Sequence, residues 1–169
     1  MIKSDSITLR QLADRSRMTV EIFMSRHAVI PAVHLFLIKD EQVLLLRRFQ
    51  TGYEDGNYSV PAGHVDGDEA MTMSMIREAQ EEANITIQPD DLTVVHVMHR
   101  YKEHSEEKER IDFFLEAHKW IGEVKNREPE KCDDLSWFSF DELPENIIPY
   151  VKSAIEQYRE GKFYSEFGW

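Results

Sequence analysis

Residues 63–85 read GHVDGDEAMTMSMIREAQEEANI and bring Glu69, Glu78, Glu81 and Glu82 together within one short stretch of chain. Residues 70–83 contain neither Gly nor Pro, which predicts a helix. At about 100° per residue, Glu78, Glu81 and Glu82 then fall on one narrow face, where like charges repel by a few tenths of a kcal/mol per pair. Arg77 can reach Glu81 across one turn, but a single cation does not balance four carboxylates. A divalent metal is the natural complement, and oxygen-only ligands select Mg²⁺ or Mn²⁺ over zinc. Considered alone, a glutamate-rich helix face is more often merely solvated. Thr72, Ile76, Ala79 and Ala83 fall on a different side and form the stripe expected to lie against a sheet, with the carboxylate face left looking outward.

The intervals decide between these readings. Gly63, Glu69, Arg77, Glu78, Glu81 and Glu82, with aliphatic Ala79 and Ile85, resemble the Nudix box, G-x5-E-x7-R-E-U-x-E-E-x-G-U, in which U is a bulky or aliphatic residue. With each fixed residue occurring at about 7%, six matches arise by chance about once in ten million windows. One position departs: Asn84 stands where the box has its second Gly. That residue ends the helix in a left-handed conformation, and Asn is the best non-Gly substitute there. The preceding Pro61-Ala62-Gly63 matches the P-A-G that many members carry.

The resemblance covers roughly residues 28–160. It implies a MutT-like Nudix hydrolase that splits a nucleoside diphosphate linked to another group. Metal, Mg²⁺ or alternatively Mn²⁺, would be held by Glu78, Glu81 and Glu82, with the backbone carbonyl near Ala62 as a further ligand. Arg77 would hold the carboxylates in place and Glu69 would support the box loop. In many relatives a glutamate in a later loop completes the metal or base set. Glu128 is the best match here, with Glu123 and Glu116 as competitors, and either Glu78 or Glu128 would be the base that takes a proton from the attacking water.

The surrounding elements must position these groups. Residues 28–38 and 43–49 are two apolar runs joined by a short polar turn, a β-hairpin whose second strand is buried on both faces. That strand closes on Arg47 and Arg48, which either contact phosphate, as the resemblance implies for this strand end, or form a solvated pair. Residues 50–58 are turn formers, and Tyr53 and Tyr58 could stack on a base or pack on their own loop. Further strands are expected within residues 90–101, at 111–117, antiparallel to it, and at 135–140. His99 and Arg100 sit at a strand end that could face the pocket. His96, His99 and His104 lack the spacing of a metal site. Residues 146–160 form an amphipathic helix with Ile148, Val151, Ile155 and Tyr158 as its apolar stripe. Asn146 at its start would either cap the helix or hydrogen-bond a purine, the latter implied by MutT-like relatives. The aromatic tail, residues 163–169, packs on the body or on a partner.

These elements predict an α/β fold, an α/β/α sandwich with a mixed sheet, the box helix on one face and the C-terminal helix on the other. Residues 27–169 are assigned to the hydrolase domain. Residues 1–26 form an N-terminal extension, read as a short helix and strand, which caps the domain or contributes to a homodimer contact, with a substrate-binding role as the alternative.

Composition narrows the alternatives. A formal charge of −12 argues against general nucleic-acid binding, which wants a basic stripe. No apolar run reaches a membrane span, the N-terminus lacks a signal-peptide core, and Cys132 is the single cysteine, so a cytoplasmic protein is the simplest reading. The resemblance implies a small-molecule nucleotide as partner. Absence of a Ser-Gln-Pro-type motif and of a Pro about fifteen residues past the box leans towards nucleoside triphosphates, oxidised ones included, over ADP-ribose or nucleotide sugars. A non-catalytic nucleotide sensor is the alternative of a different class, disfavoured because all four box carboxylates are retained.

Overall fold

In the computed structural model, which describes residues 27–101 and 109–169, the site is built around one forked strand. Strand β1 (Ile30–Lys39) pairs along one side, in parallel, with a strand at Arg110–Ala117. Its other side is shared. The N-terminal half, Ala32 to His34, pairs with β4 (Ala62–His64), and the C-terminal end, Ile38 and Lys39, pairs with β2 (Gln42–Arg48). The two antiparallel neighbours of β1 therefore diverge, and the opening between them is where the box reaches the sheet.

The remaining strands are β3 (Tyr58–Ser59), β5 (Leu92–Arg100), β6 (Arg110–Ala117), β7 (Cys132–Ser139) and β8 (Tyr164–Phe167). The order is β3-β2-β1-β6-β5-β8, with β4 on β1 and β7 on β2, in an eight-stranded sheet. Two pairings, β1 with β6 and β5 with β8, are parallel and the others antiparallel, so the sheet is mixed as expected. The expected hairpin of β5 and β6 is antiparallel. The aromatic tail packs on the body: β8 adds to the edge of β5, and Trp169 lies against His99 and Tyr101.

Helix α1 (Met71–Ala83) and helix α2 (Pro149–Arg159) cover opposite faces. Along β1, Val33, Leu35 and Leu37 point into one cluster with Met75, Ala79 and Ala83 of α1, while Phe36 points into the other with Val151, Ala154 and Ile155 of α2. This is the two-residue period of a strand buried on both sides. Fully burying each such Leu or Phe contributes roughly 1.5–3 kcal/mol.

Two details differ from the sequence expectation. The stripe that α1 buries is Ser74, Met75, Ala79 and Ala83; Thr72 is only half-buried. Residues 75, 78, 79 and 82 are neighbours on a helix surface, so burying Met75 and Ala79 carries Glu78 and Glu82 inward, and only Glu81 looks outward. Helix α2 begins at Pro149, not at Asn146. Proline at the first helical position already lacks the N–H that a cap would satisfy, and no side chain caps this end. The readings made for residues 1–26, and for His104 in the charged linker, lie outside the described residues.

Candidate active site

A cavity of about 480 Å³ opens where β2 and β4 part from β1. One wall carries Glu78, Glu81 and Glu82 from α1 and Glu128 from the loop before β7. The facing wall comes from the strands and the first turn of α2: His34, His64, Arg100, Arg110 and Tyr150, with Arg48 and Tyr53 at its side.

Arg77 organises the acidic wall. Its guanidinium donates to both oxygens of Glu69, each at 3.1 Å, and to Glu78 Oε1 at 2.6 Å, and it lies 3.5 Å from Glu81. The loop before α1 is thereby tied to the helix by a bidentate ion pair, the strong form of such a contact. Hydrogen bonding to Glu69, outweighing burial, holds the Arg77 pKa above its ordinary value. Gly63 is required at closest approach, since a Cβ there would collide with the Glu78 carboxylate. At the other end of α1, Asn84 adopts φ 60° and ψ 28°, the left-handed conformation expected of the box's second Gly, and its side chain donates to the Glu123 carbonyl at 3.1 Å.

Glu82 Oε2 accepts the Ala62 N–H at 2.8 Å. Although the side chain borders the cavity, its carboxylate is deeply desolvated, and burial, with Glu78 and Glu128 adding repulsion, pushes its pKa up to about 8. Burial also raises Glu78, against the opposing pull of Arg77. Glu128 is held by Lys131 at 2.7 Å. Its competitors are elsewhere: Glu116 accepts from the Tyr158 hydroxyl at 2.9 Å, and Glu123 is exposed outside the cavity.

The donor set fits a hard dication. It is all carboxylate, it is desolvated, and its repulsion is only partly offset by Arg77 and Lys131, the condition under which a divalent ion is favourable. Among the described residues no three acidic, His or Cys side chains are gathered into a closed metal cluster. Each is held by a protein partner instead: Glu78 by Arg77, Glu82 by the Ala62 amide, Glu128 by Lys131.

The substrate-side expectations divide. Arg48 lines the cavity, donating to the Tyr53 carbonyl at 2.7 Å and to Thr51 Oγ1 at 3.0 Å. Arg47 leaves β2 on the opposite face, because neighbours on a strand alternate, and forms a bidentate pair with Asp133 at 2.7 and 3.0 Å. Tyr58 is a core residue: it is 8% exposed, donates to Asp134 at 2.5 Å and packs edge-on against Phe138. Tyr53 is the loop tyrosine that lines the cavity. Asn146 lies outside the cavity and donates to the Gly56 carbonyl at 2.6 Å, tying residues 50–57 to the start of α2.

Sequence reasoning missed the floor of the strand wall. Asp112 is wholly buried; it accepts from Arg100 Nε at 2.7 Å and faces His34 Nε2 at 3.2 Å. Burial alone would raise its pKa, but the hydrogen bonds from His34 and Arg100, with the charge of Arg100, hold it at about 2. The signals were present as Asp112 within the apolar run of β6 and His34 within that of β1, each at a position facing α2.

The α/β/α sandwich thus gathers carboxylates and cations around one cavity. The NUDIX domain family matches residues 29–160, and the chain belongs to that family. Its fold is similar to a MutT NUDIX hydrolase from Burkholderia pseudomallei, 25% identical with a TM-score of 0.70 over 78% of this chain and 98% of that one. A MutT protein from Methanosarcina mazei Go1 is 21% identical with a TM-score of 0.67, over 80% and 96% of the two chains. An ADP compounds hydrolase is 21% identical with a TM-score of 0.60, over 80% and 74%. The chain is thus a NUDIX hydrolase acting on pyrophosphate bonds. No helix among the described residues is long and apolar enough to cross a membrane.

Proposed function

We propose that the chain is a Mg²⁺-dependent pyrophosphohydrolase of a nucleoside diphosphate linked to another group, acting on nucleoside triphosphates, oxidised forms included, to give monophosphate and pyrophosphate. The observation that carries this reading is that the desolvated Glu78 and Glu82, with Glu128, face Arg48 and Arg110 in one cavity. The glutamates would hold Mg²⁺ or Mn²⁺, and the bound ion would offset charge on the phosphate oxygens and lower the pKa of the attacking water.

The chain's own groups do the rest. Glu78 or Glu128, both bordering the cavity, accepts the proton of that water. Arg77 and Glu69 fix the angle at which α1 presents its carboxylates. Arg48, rigid through its bonds to residues 51 and 53, binds phosphoryl oxygen. Among the described residues Arg48 and Arg110 border the cavity without a carboxylate partner, which favours a substrate with more negative charge than a diphosphate sugar and supports triphosphates over ADP-ribose.

The test is release of phosphate products across a panel of nucleoside triphosphates, ADP-ribose and nucleotide sugars with Mg²⁺. Glu81→Gln and Glu82→Gln should each lose turnover by orders of magnitude while remaining folded. Undiminished hydrolysis in both variants would sink the assignment, and tight binding without any hydrolysis would make the chain a nucleotide sensor.

A further inference from the structure

The strand wall of the cavity contains a set of groups that phosphate chemistry does not use. Arg100 is 3% exposed, its guanidinium carbon lies 3.9 Å from the centroid of the Tyr150 ring, and its Nε donates to Asp112 at 2.7 Å. The plane of this side chain is fixed by the ring and its edge by the carboxylate. Such a fork is pre-organised, so little rotamer entropy is lost when its remaining N–H groups are engaged.

His34 lies beside it, also bordering the cavity, stacked on Phe114 at 4.6 Å and edge-on to Tyr150 at 5.8 Å. Its Nε2 faces the Asp112 carboxylate, which can only accept, so in the neutral ring Nε2 carries the hydrogen and Nδ1 presents a lone pair. Among the described residues Nδ1 has no hydrogen-bond partner, although the side chain is only 4% exposed. A buried acceptor left without a donor costs about 1–3 kcal/mol and marks a place where one is expected to arrive.

The charges indicate what that ligand is. Asp112 neutralises Arg100, so the pair presents directed donors with no net charge, suited to a neutral acceptor more than to phosphate. Among the described residues, the cation on this wall without a carboxylate partner is Arg110, opposite Arg100 on the neighbouring strand, whose side chain meets the His64 ring at 2.5 Å. Phosphate belongs with Arg110 and Arg48. A neutral group that offers an oxygen acceptor beside a ring N–H, on a planar body that fits against guanidinium and tyrosine faces, is the lactam edge of a keto nucleobase.

We propose that Arg100 and His34, positioned by Asp112, are specificity-determining residues that read the lactam edge of a guanine- or uracil-type base, the carbonyl accepting from Arg100 and the ring N–H donating to His34 Nδ1. This rests on the nucleotide reading of the same cavity. An amino base turns an NH₂ group towards the guanidinium, donor against donor, and a well-placed pair of this kind discriminates by about tenfold or more.

The experiment measures kcat and KM for GTP, UTP, ATP and CTP with Mg²⁺ on the full chain, for the wild type, Arg100→Lys, His34→Phe and Asp112→Asn, with thermal melting to show which variants are folded. The wild type should prefer the keto pair by about tenfold or more in kcat/KM. Each folded variant should shrink that preference to about threefold or less through a higher KM for GTP and UTP, with little change in kcat. Equal use of all four nucleotides by the wild type overturns the proposal. So does an unchanged preference in His34→Phe, the mildest replacement, or an equal weakening of all four in Arg100→Lys, which would mean contact with phosphoryl oxygen. If no nucleotide is hydrolysed, the pyrophosphohydrolase reading fails by itself. Calorimetric affinities for GTP and ATP with Mg²⁺ then decide the base preference, equal affinities overturning it.

Discussion

Replacing Glu82 by Gln should make the metal-free protein more stable while destroying its activity. The Glu82 carboxyl titrates at about 8 because its carboxylate is buried beside Glu78 and Glu128, whereas an unfolded chain releases this proton near 4.5. Between those values the folded state binds more protons than the unfolded one, so the free energy of unfolding falls as pH rises from about 4.5 to about 8. At about 1.4 kcal/mol per pH unit the ceiling on that loss is roughly 5 kcal/mol, and coupling to the neighbouring acids reduces it to a few kcal/mol. Glutamine keeps an oxygen for the Ala62 N–H and carries no charge to desolvate. In EDTA at pH 9 the variant should therefore melt several degrees above the wild type, at about 2–4 °C per kcal/mol for a chain of this size. Near pH 4.5 the two should converge. Added Mg²⁺ should raise the wild-type melting temperature most at high pH, where the acid is ionised, and raise that of the variant much less. Calorimetric melts at pH 5, 7 and 9, with EDTA and with Mg²⁺, read all of this. A variant that melts at or below the wild type at pH 9 in EDTA would refute the reasoning, because Glu82 would then not be the ionised, desolvated group described.

Other substitutions separate chemistry from scaffolding. Gly63→Ala places a methyl group where the Glu78 carboxylate lies, and should cut Mg²⁺-dependent kcat by about tenfold or more while circular dichroism shows both helices retained. Asn84→Ala puts an alanine into the left-handed position at the end of α1 and should cost about 1 kcal/mol in denaturant melts, whereas Asn84→Gly should stay within about 1 kcal/mol of the wild type. Tyr58→Phe removes the hydrogen bond to Asp134 and should lower stability by about 1 kcal/mol with KM unchanged, and a large rise in KM would instead put Tyr58 in contact with substrate.

The reaction was legible in the sequence because the box is local. Gly63, Glu69, Arg77, Glu78, Glu81 and Glu82 lie within one loop and one helix, so helical periodicity fixes their mutual placement whatever the rest of the chain does, and Asn84 could be read as a helix terminator from its backbone preference alone. The hairpin of β1 and β2, the mixed sheet and the two covering helices were equally readable from runs of apolar residues. What periodicity does not give is the direction a face points once the helix docks. Glu78 and Glu82 lie inward because Met75 and Ala79 are buried next to them, and this decides that Glu82 is a desolvated acid and not a solvated one. Alternation along β2 separated Arg47 from Arg48, and packing against Phe138 took Tyr58 away from the loop. The largest gap is His34, Asp112 and Tyr150, which with Arg100, itself legible at its strand end, come from three strands and a helix spread over more than a hundred residues. Only the pairing of β1 with β6 and of β6 with β5, with α2 laid across them, brings these groups within hydrogen-bonding distance. The sequence by itself determined the reaction, since its groups are neighbours in the chain. The tertiary structure decided which further side chains line the cavity, since those groups meet only through long-range pairing.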